Sequence, residues 1–455
     1  MKEDSTLLQT ARKAAAISYD TLPQDVAKRA EYAVLDAIIN CLASKEAADF
    51  VAPLAKLVAD AETNQNIKKF TLFGQQALGS KEDAVFYNVA AGSVTARNDH
   101  HAAANVHPGS VIVPALLAES EQNKCTGKDF LVAVVVGYEI MIRMGALLQK
   151  GTQYPLSDSL RSAMLPAPVG VAFAVSRLYG STPETMKNAA ALACHHYCGV
   201  EQWRLAGTAE DNYQNAWDTL SGMHCVRMAK AGVQAADENL DGCYGFLHIF
   251  GAEGAADELQ KELGETYFIG EVRSKISGAC ARVLTPLQLA EEFLQDAHFS
   301  LDQVSHIKIY VNQKCTTRKW FMNQKIESQS DSINSVAYAV AEVLVKQNVN
   351  RVTWFPPFDE KTLQLTEAIE LVYDEQVAAH LEPDGYRMEV TMKDGGSIAK
   401  EKLAFVPLTQ KGIEEKFIAT ASPLYGKNKA EHLLKRLLSM ETVEDVGALV
   451  KDFRL

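Results

Sequence analysis

Val26-Ala27-Lys-Arg-Ala30-Glu-Tyr-Ala33-Val34-Leu35-Asp-Ala-Ile38-Ile39-Asn-Cys-Leu42 repeats its apolar residues every three or four positions, the spacing that lines one face of an α-helix. The same period runs from the N-terminus to about residue 265, so this half reads as almost wholly helical. Small residues recur in it, as in Ala102-Ala103-Ala104, Ala189-Ala190-Ala191 and Ala235-Ala236, and such residues let helices approach closely.

The pattern changes after Gly270. His306-Ile-Lys-Ile-Tyr-Val311 and Tyr386-Arg-Met-Glu-Val-Thr-Met392 alternate polar and apolar residues, the second running into the turn Lys393-Asp-Gly-Gly396; both read as half-buried strands. Ser332 to Val345 and Thr362 to Val372 read as helices between them. Beyond Pro407 the helical period returns, through Glu414-Glu-Lys-Phe417 and Ala430-Glu-His-Leu-Leu-Lys-Arg-Leu-Leu438. The expected fold is therefore mainly α. A large all-α domain is expected over 1–269 and 405–455, with the last helices returning to it, and a smaller α+β domain over 270–404.

A chain of 455 residues that is 47% hydrophobic can bury a large core. Its net charge of −12 and lack of a long Lys/Arg run argue against nucleic acid. An acidic protein that takes anionic ligands must concentrate cations locally, which directs attention to clusters of Arg, Lys and His. Met1-Lys2-Glu3-Asp4 is not followed by a signal-type apolar stretch, and Glu139 and Arg143 interrupt the run that starts at Phe130. No membrane partner is expected, and the chain reads as cytoplasmic. The eight cysteines are scattered in a chain too long to need disulfide staples, so free thiols are the expectation. Cys194 and Cys198 flank His195 and His196, but without the paired-cysteine spacing of structural zinc, and no metal is expected.

Asn98-Asp99-His100-His101 followed by His107-Pro-Gly places a carboxylate and three imidazoles within ten positions, on a segment whose Gly and Pro favour a loop. Imidazole moves protons near neutral pH and, when charged, holds carboxylates. The cluster suits elimination or proton abstraction beside a carboxyl group; a surface turn whose histidines cap helix ends is the alternative. Glu139 and Arg143 stand four apart and either pair on a helix face or leave Arg143 as a bidentate carboxylate clamp. His195-His-Tyr-Cys-Gly199, with Gln202 and Arg204, lines a cleft or closes a helix. Lys275-Ile-Ser-Gly-Ala-Cys280-Ala-Arg282 lies near the expected domain junction, a favoured place for ligands, with a buried inert thiol as the other fate of Cys280. No nucleotide-binding glycine motif or serine nucleophile elbow is present.

Several of these segments resemble the MmgE/PrpD family in order and spacing. The most specific are His107-Pro-Gly-Ser-Val-Ile-Val-Pro114-Ala-Leu-Leu-Ala-Glu119, Gly127-Lys-Asp-Phe-Leu131 and Gly137-Tyr-Glu139 with Arg143; Leu240-Asp-Gly-Cys-Tyr-Gly-Phe246, Lys275 with Cys280 and Asn334-Ser-Val-Ala-Tyr338 add to them. The likeness runs from Ala33-Val-Leu-Asp36 to Glu415-Lys-Phe417. The family includes 2-methylcitrate dehydratase, cis-aconitate decarboxylase and iminodisuccinate epimerase. It implies a metal-independent enzyme without a cofactor, a helical domain with an α+β lid (270–404), an active site between them, and a homodimer.

By that resemblance, His107 stands at the histidine of the family's His-Pro and Asp99 at an aspartate of its Asp-Asp-Thr. Asn98, His100 and Ala96 depart from the pattern. Arg161 stands at the histidine of a later His-Pro-Thr element, and Asp211 at the lysine of the decarboxylase branch. Putting a carboxylate where a cation stood repels a polycarboxylate, which disfavours decarboxylation of cis-aconitate. The expected activity is that of a lyase dehydrating or hydrating a small hydroxy-polycarboxylate of the 2-methylcitrate kind. Asp99 or His101 would take the proton, His107 would protonate the leaving hydroxyl, with His100 beside them, and Arg143, Arg161, Lys275, Cys280 and Arg282 would hold the substrate. An epimerase or isomerase, a decarboxylase, and a catalytically silent dimeric binding protein are the alternatives.

Overall fold

The computed structural model describes residues 5–43, 48–62, 68–151, 160–197 and 199–455. Within it the chain divides into two compact units. The first comprises Met1–Val200, Asp211–Ser274 and Leu408–Leu455; the second comprises Glu201–Glu210 and Lys275–Pro407.

The first unit is built of helices. The opening stretch forms Gln24–Leu42, and its apolar face, from Val26 to Leu42, is buried. Gly127–Gln149 follows Thr126, whose hydroxyl accepts the Asp129 N–H and so satisfies a donor of the first turn. This 23-residue helix is long and apolar enough to cross a membrane, yet 94% of its most apolar window is buried inside the protein. It is the core helix of a globular unit. Ala167–Leu178 packs on it, and Asp211–Lys230 packs against Lys81–Val94 and Ala167–Leu178. The C-terminal helices Gln410–Tyr425 and Lys427–Leu437 pack on each other and on Gln24–Leu42, while Arg454 donates to the Glu121 carboxylate and to the Lys69 carbonyl.

Two details of the first unit differ from expectation. A short antiparallel pair, Phe70–Thr71 with Leu78–Gly79, interrupts the helices. After Lys230 the helical period is not realised: Phe246–Ile249 is one turn, and Glu253–Leu259 and Phe268–Glu271 are 3-10 segments. Glycines at 232, 251 and 264 adopt positive φ there, a conformation that ends helices. Ala235-Ala236 and Ala102–Ala104 accordingly lie in turns or loops, whereas Ala189–Ala191 sit buried in Pro183–Ala193.

The second unit carries a four-stranded sheet in the order Glu370–Val372, Val304–Tyr310, Tyr386–Met392, Ser397–Lys402. The first pair is parallel and the others antiparallel. Val336–Lys346 and Ala281–Leu294 supply its helical core, with Tyr338, Val340, Leu284 and Leu287 fully buried. The helix expected over 332–345 breaks at Ser335, which ends Gln329–Asn334 and caps the next helix by accepting the Tyr338 N–H. The segment expected as one helix from Thr362 to Val372 instead ends at Ala368, and Glu370–Val372 pairs with Lys308–Tyr310. An open strand edge outcompetes the last helical turn, since β-branched Ile369 and Val372 favour extended backbone. Glu201–Glu210, expected in the helical domain, groups with the second unit, where Arg204 donates to the Asn334 side chain.

Candidate functional site

The segment from Asn98 to Ser110 is a tight loop closed by two isolated antiparallel bridges. His100 exchanges both backbone hydrogen bonds with Arg273, at 3.0 and 2.9 Å, and His101 pairs with Val106. Asn105, at positive φ, donates across to the Ser162 hydroxyl, tying the loop to the segment that bears Arg161. Gly145 on the core helix makes the approach possible: a Cβ there would lie 2.7 Å from the Ala104 carbonyl oxygen.

Asp99 is enclosed. Its carboxylate accepts the Gly109 N–H at 3.0 Å, at the start of helix Gly109–Gln122, and the Tyr138 hydroxyl at 2.8 Å. A Cβ on Gly109 would stand 2.5 Å from the Tyr138 oxygen and 2.8 Å from Asp99 Oδ2, so the cage requires glycine. Burial, helped by the charge of Asp36, pushes the Asp99 carboxyl up to about 7, while the Tyr138 and Gly109 hydrogen bonds pull the other way.

The Asp99 backbone carbonyl meets His107 Nδ1 at 2.6 Å. A carbonyl only accepts, so Nδ1 carries the proton and neutral His107 has its lone pair on Nε2. Half-buried His107 has its ring centroid 5.2 Å from that of His100. Of the four loop residues expected to do chemistry, only His107 is more than 8% exposed.

His101 is committed elsewhere. Its Nδ1 accepts the Ala104 N–H at 3.1 Å, which places the neutral-ring proton on Nε2, 3.5 Å from the Glu271 carboxylate. Burial keeps its pKa below that of free imidazole, against the pull of Glu271. Nδ1 thus serves the loop, while Nε2 faces Glu271.

Arg143, expected either to pair with Glu139 or to clamp a carboxylate, is placed beside Glu139 and three backbone carbonyls. It donates to the carbonyls of Lys261 at 2.6 Å and Thr266 at 3.0 Å, lies 3.6 Å from the Glu139 carboxylate, and stacks 4.8 Å from the Phe268 ring centroid. Glu139 accepts the N–H groups of Phe268 and Ile269 at 2.7 and 2.9 Å, and burial raises its carboxyl to about 7. The pair pins the irregular segment 261–269 against the core helix and occupies both Arg143 Nη groups with backbone carbonyls.

Arg161 pairs with Asp211, Nη2 to Oδ2 at 3.3 Å, and also donates to the Asp211 carbonyl at 2.7 Å and to the Asn215 side chain. Asn215 in turn donates to the Ser93 hydroxyl. Nearby Asp218 is pushed up to about 8 by burial, with Arg161 opposing the shift, so it is predominantly protonated at neutral pH. The cation and the carboxylate that depart from the expected pattern therefore neutralise each other.

Lys275, Cys280 and Arg282 belong to the second unit. The Lys275 ammonium donates to the Ala279 carbonyl at 3.0 Å, Cys280 precedes helix Ala281–Leu294, and Arg282 pairs with Asp384 at 2.7 Å. Among the described residues no group of three His, Cys, Asp or Glu is arranged to hold a metal ion. His195 and His196 close helix Pro183–Ala193; Cys198 lies outside the described residues. The seven described cysteines are free thiols.

Residues 8–258 match the MmgE/PrpD N-terminal domain, and residues 278–441 match the MmgE/PrpD C-terminal domain. The chain belongs to the MmgE/PrpD family. It is similar to a cis-aconitate decarboxylase of Aspergillus terreus, 26% identical over 96% of this chain and 94% of that protein. A cis-aconitate decarboxylase-like protein of Aspergillus oryzae is 25% identical over 94% and 93%. The human cis-aconitate decarboxylase is 24% identical over 75% and 73%.

Within this MmgE/PrpD chain, sequence reasoning marked the loop but missed Tyr138, Gly109, Asn215 and Asp218. Tyr138 and Gly109 were visible as neighbours of Glu139 and His107-Pro. Nothing local marked Asn215 or Asp218, which read as ordinary positions of a polar helix.

Proposed function

We propose that this chain is a lyase that adds water to, or removes it from, a small hydroxy-polycarboxylate, with His107 as the proton-transfer group. The observation that carries this reading is the 2.6 Å tether of His107 Nδ1 to the Asp99 carbonyl, which fixes the tautomer and directs the chemistry to Nε2. In dehydration one imidazole takes the proton beside a substrate carboxylate; the C–O bond breaks, and a second proton converts the departing hydroxide to water. His100 is the second imidazole of this scheme. Asp99, held by Gly109 and Tyr138, and His101, whose Nδ1 accepts the Ala104 N–H, position the other two. A homodimer is part of the proposal, with size-exclusion light scattering as its check.

The test is turnover of citrate, 2-methylcitrate and cis-aconitate, followed by NMR in deuterated water. The lyase reading expects interconversion of hydroxy acid and alkene, abolished in His107→Gln. Deuterium exchange without loss of water would replace it with an epimerase. Ligand-induced stabilisation without turnover would make the chain a binding protein.

Decarboxylation is the second reading, favoured by the names of the relatives and their coverage of nearly the whole chain. The Arg161–Asp211 pair speaks against it, because where a lysine would offer an acid group a cation, this chain has a carboxylate already neutralised by Arg161. Release of CO2 from cis-aconitate would decide for it.

A further inference from the structure

In the second unit the strand Val304–Tyr310 is longer than its parallel partner Glu370–Val372, which covers only Lys308 to Tyr310. Val311 donates to the Val372 carbonyl, and Lys393 donates to the Gln303 carbonyl. The backbone groups of a strand alternate between its two edges. Ile307 therefore turns its N–H away from Tyr386–Met392, to the side where Glu370–Val372 has not yet begun. A cavity of about 270 Å³ occupies that corner, between the start of the long strand and the helix Glu360–Ala368.

The cavity has an apolar wall and a charged rim. Leu301, Ile307, Val345 and Leu365 line it, and Ile307 is 2% exposed. His306 lines it too but is committed to Glu370, whose carboxylate lies 2.7 Å from Nε2, and the Ser305 hydroxyl donates to the Thr391 carbonyl. Asp302 and Lys361 differ. Both are exposed lining residues. Among the described residues neither side chain makes a hydrogen bond or an ion pair, with the other or with a neighbour; it is the Asp302 backbone carbonyl that accepts Lys393. Lys361 stands in the first turn of its helix, where the peptide dipoles already favour negative charge.

One carboxylate and one ammonium thus remain uncommitted beside an apolar wall. An apolar acid would satisfy Lys361 alone, and an apolar amine Asp302 alone. A zwitterion satisfies both. The cavity volume of about 270 Å³ lies just under the about 300 Å³ at which pockets for drug-sized ligands begin, which suits a molecule of amino-acid size.

We propose that this cavity binds a free amino acid with an apolar side chain, its carboxylate at Lys361, its ammonium at Asp302 and its side chain against Leu301, Ile307, Val345 and Leu365. The site lies wholly within the second unit. It shares no residue with the lyase scheme, so the two readings stand or fall separately.

The experiment is calorimetric titration of the full-length protein with L-leucine, glycine, 4-methylpentanoate and 3-methylbutylamine. Wild type is expected to bind L-leucine at millimolar concentration or below, and each of the other three probes at least about fivefold more weakly, since each lacks the side chain or one charge. Lys361→Gln and Asp302→Asn, both surface changes, are each expected to weaken L-leucine about fivefold, and the double variant at least about tenfold. Unchanged circular dichroism in the variants guards against misfolding. His107→Gln is expected to keep the wild-type affinity for L-leucine. Failure of wild type to bind L-leucine at millimolar concentration overturns the site, as does a double variant within about twofold of wild type. Equal affinity for 4-methylpentanoate or 3-methylbutylamine overturns the zwitterion, and equal affinity for glycine overturns the role of the apolar wall. Competition between L-leucine and citrate would place the amino acid elsewhere and overturn the assignment.

Discussion

Replacing Asp99 by Asn tests whether the carboxyl in the Tyr138–Gly109 cage is an electrostatic burden on the fold rather than the base of the reaction. Burial lifts this group from 3.8 to about 7. Between those values the folded protein holds a proton that the unfolded chain releases, so the group's contribution to stability is fully present below 3.8 and is lost as pH rises through 7. Between pH 5 and pH 8 the linkage amounts to about two units, or about 3 kcal/mol. The amide has no charge to bury and keeps an acceptor oxygen for the cage. The stability difference between Asp99→Asn and wild type should therefore move by about 3 kcal/mol in favour of the variant from pH 5 to pH 8. Urea unfolding at both pH values, read by circular dichroism and analysed for the transition of the helical unit, measures it. The tether to His107 comes from the backbone carbonyl and survives the substitution, so turnover should fall far less than in His107→Gln. A pH-independent difference would refute the electrostatic argument; loss of turnover equal to that of His107→Gln would restore Asp99 as the base.

Other substitutions probe the remaining contacts. Gly109→Ala drives a methyl group against the Tyr138 oxygen and Asp99 and should cost about 1–3 kcal/mol, seen as a lower Tm; an unchanged Tm would show that the cage yields. Arg143→Gln removes a buried cation from Glu139 and two backbone carbonyls and should destabilise by about 3–5 kcal/mol; a raised KM with unaltered Tm would return Arg143 to the substrate. Asp211→Asn releases Arg161 from its carboxylate and should lower Tm while tightening citrate binding; unchanged affinity would show that Arg161 does not meet the ligand.

What the chain determined by itself is what depends on neighbours along it. The three-and-four spacing of Val26 to Leu42 suffices for a helix because the residues that share its face are adjacent turns of one backbone, and the alternation of Tyr386 to Met392 is realised as a strand over those residues. The His107-Pro-Gly segment marked the family for the same reason: its signature is contiguous. Where two local preferences competed, as at Ile369, the outcome depended on an open edge offered by Lys308 to Tyr310, and spacing carried no sign of it. The site was legible as a list of residue types but not as a set of partners. Arg143 reads identically whether its donors meet a substrate or the carbonyls of Lys261 and Thr266, and Arg161 reads identically with or without Asp211, fifty positions away. Hydrogen bonds and Coulomb interactions are set by distance through space and by burial, so only the tertiary structure decided which cations are already neutralised, that Asp99 is caged, and that His107 Nδ1 is tethered to the Asp99 carbonyl.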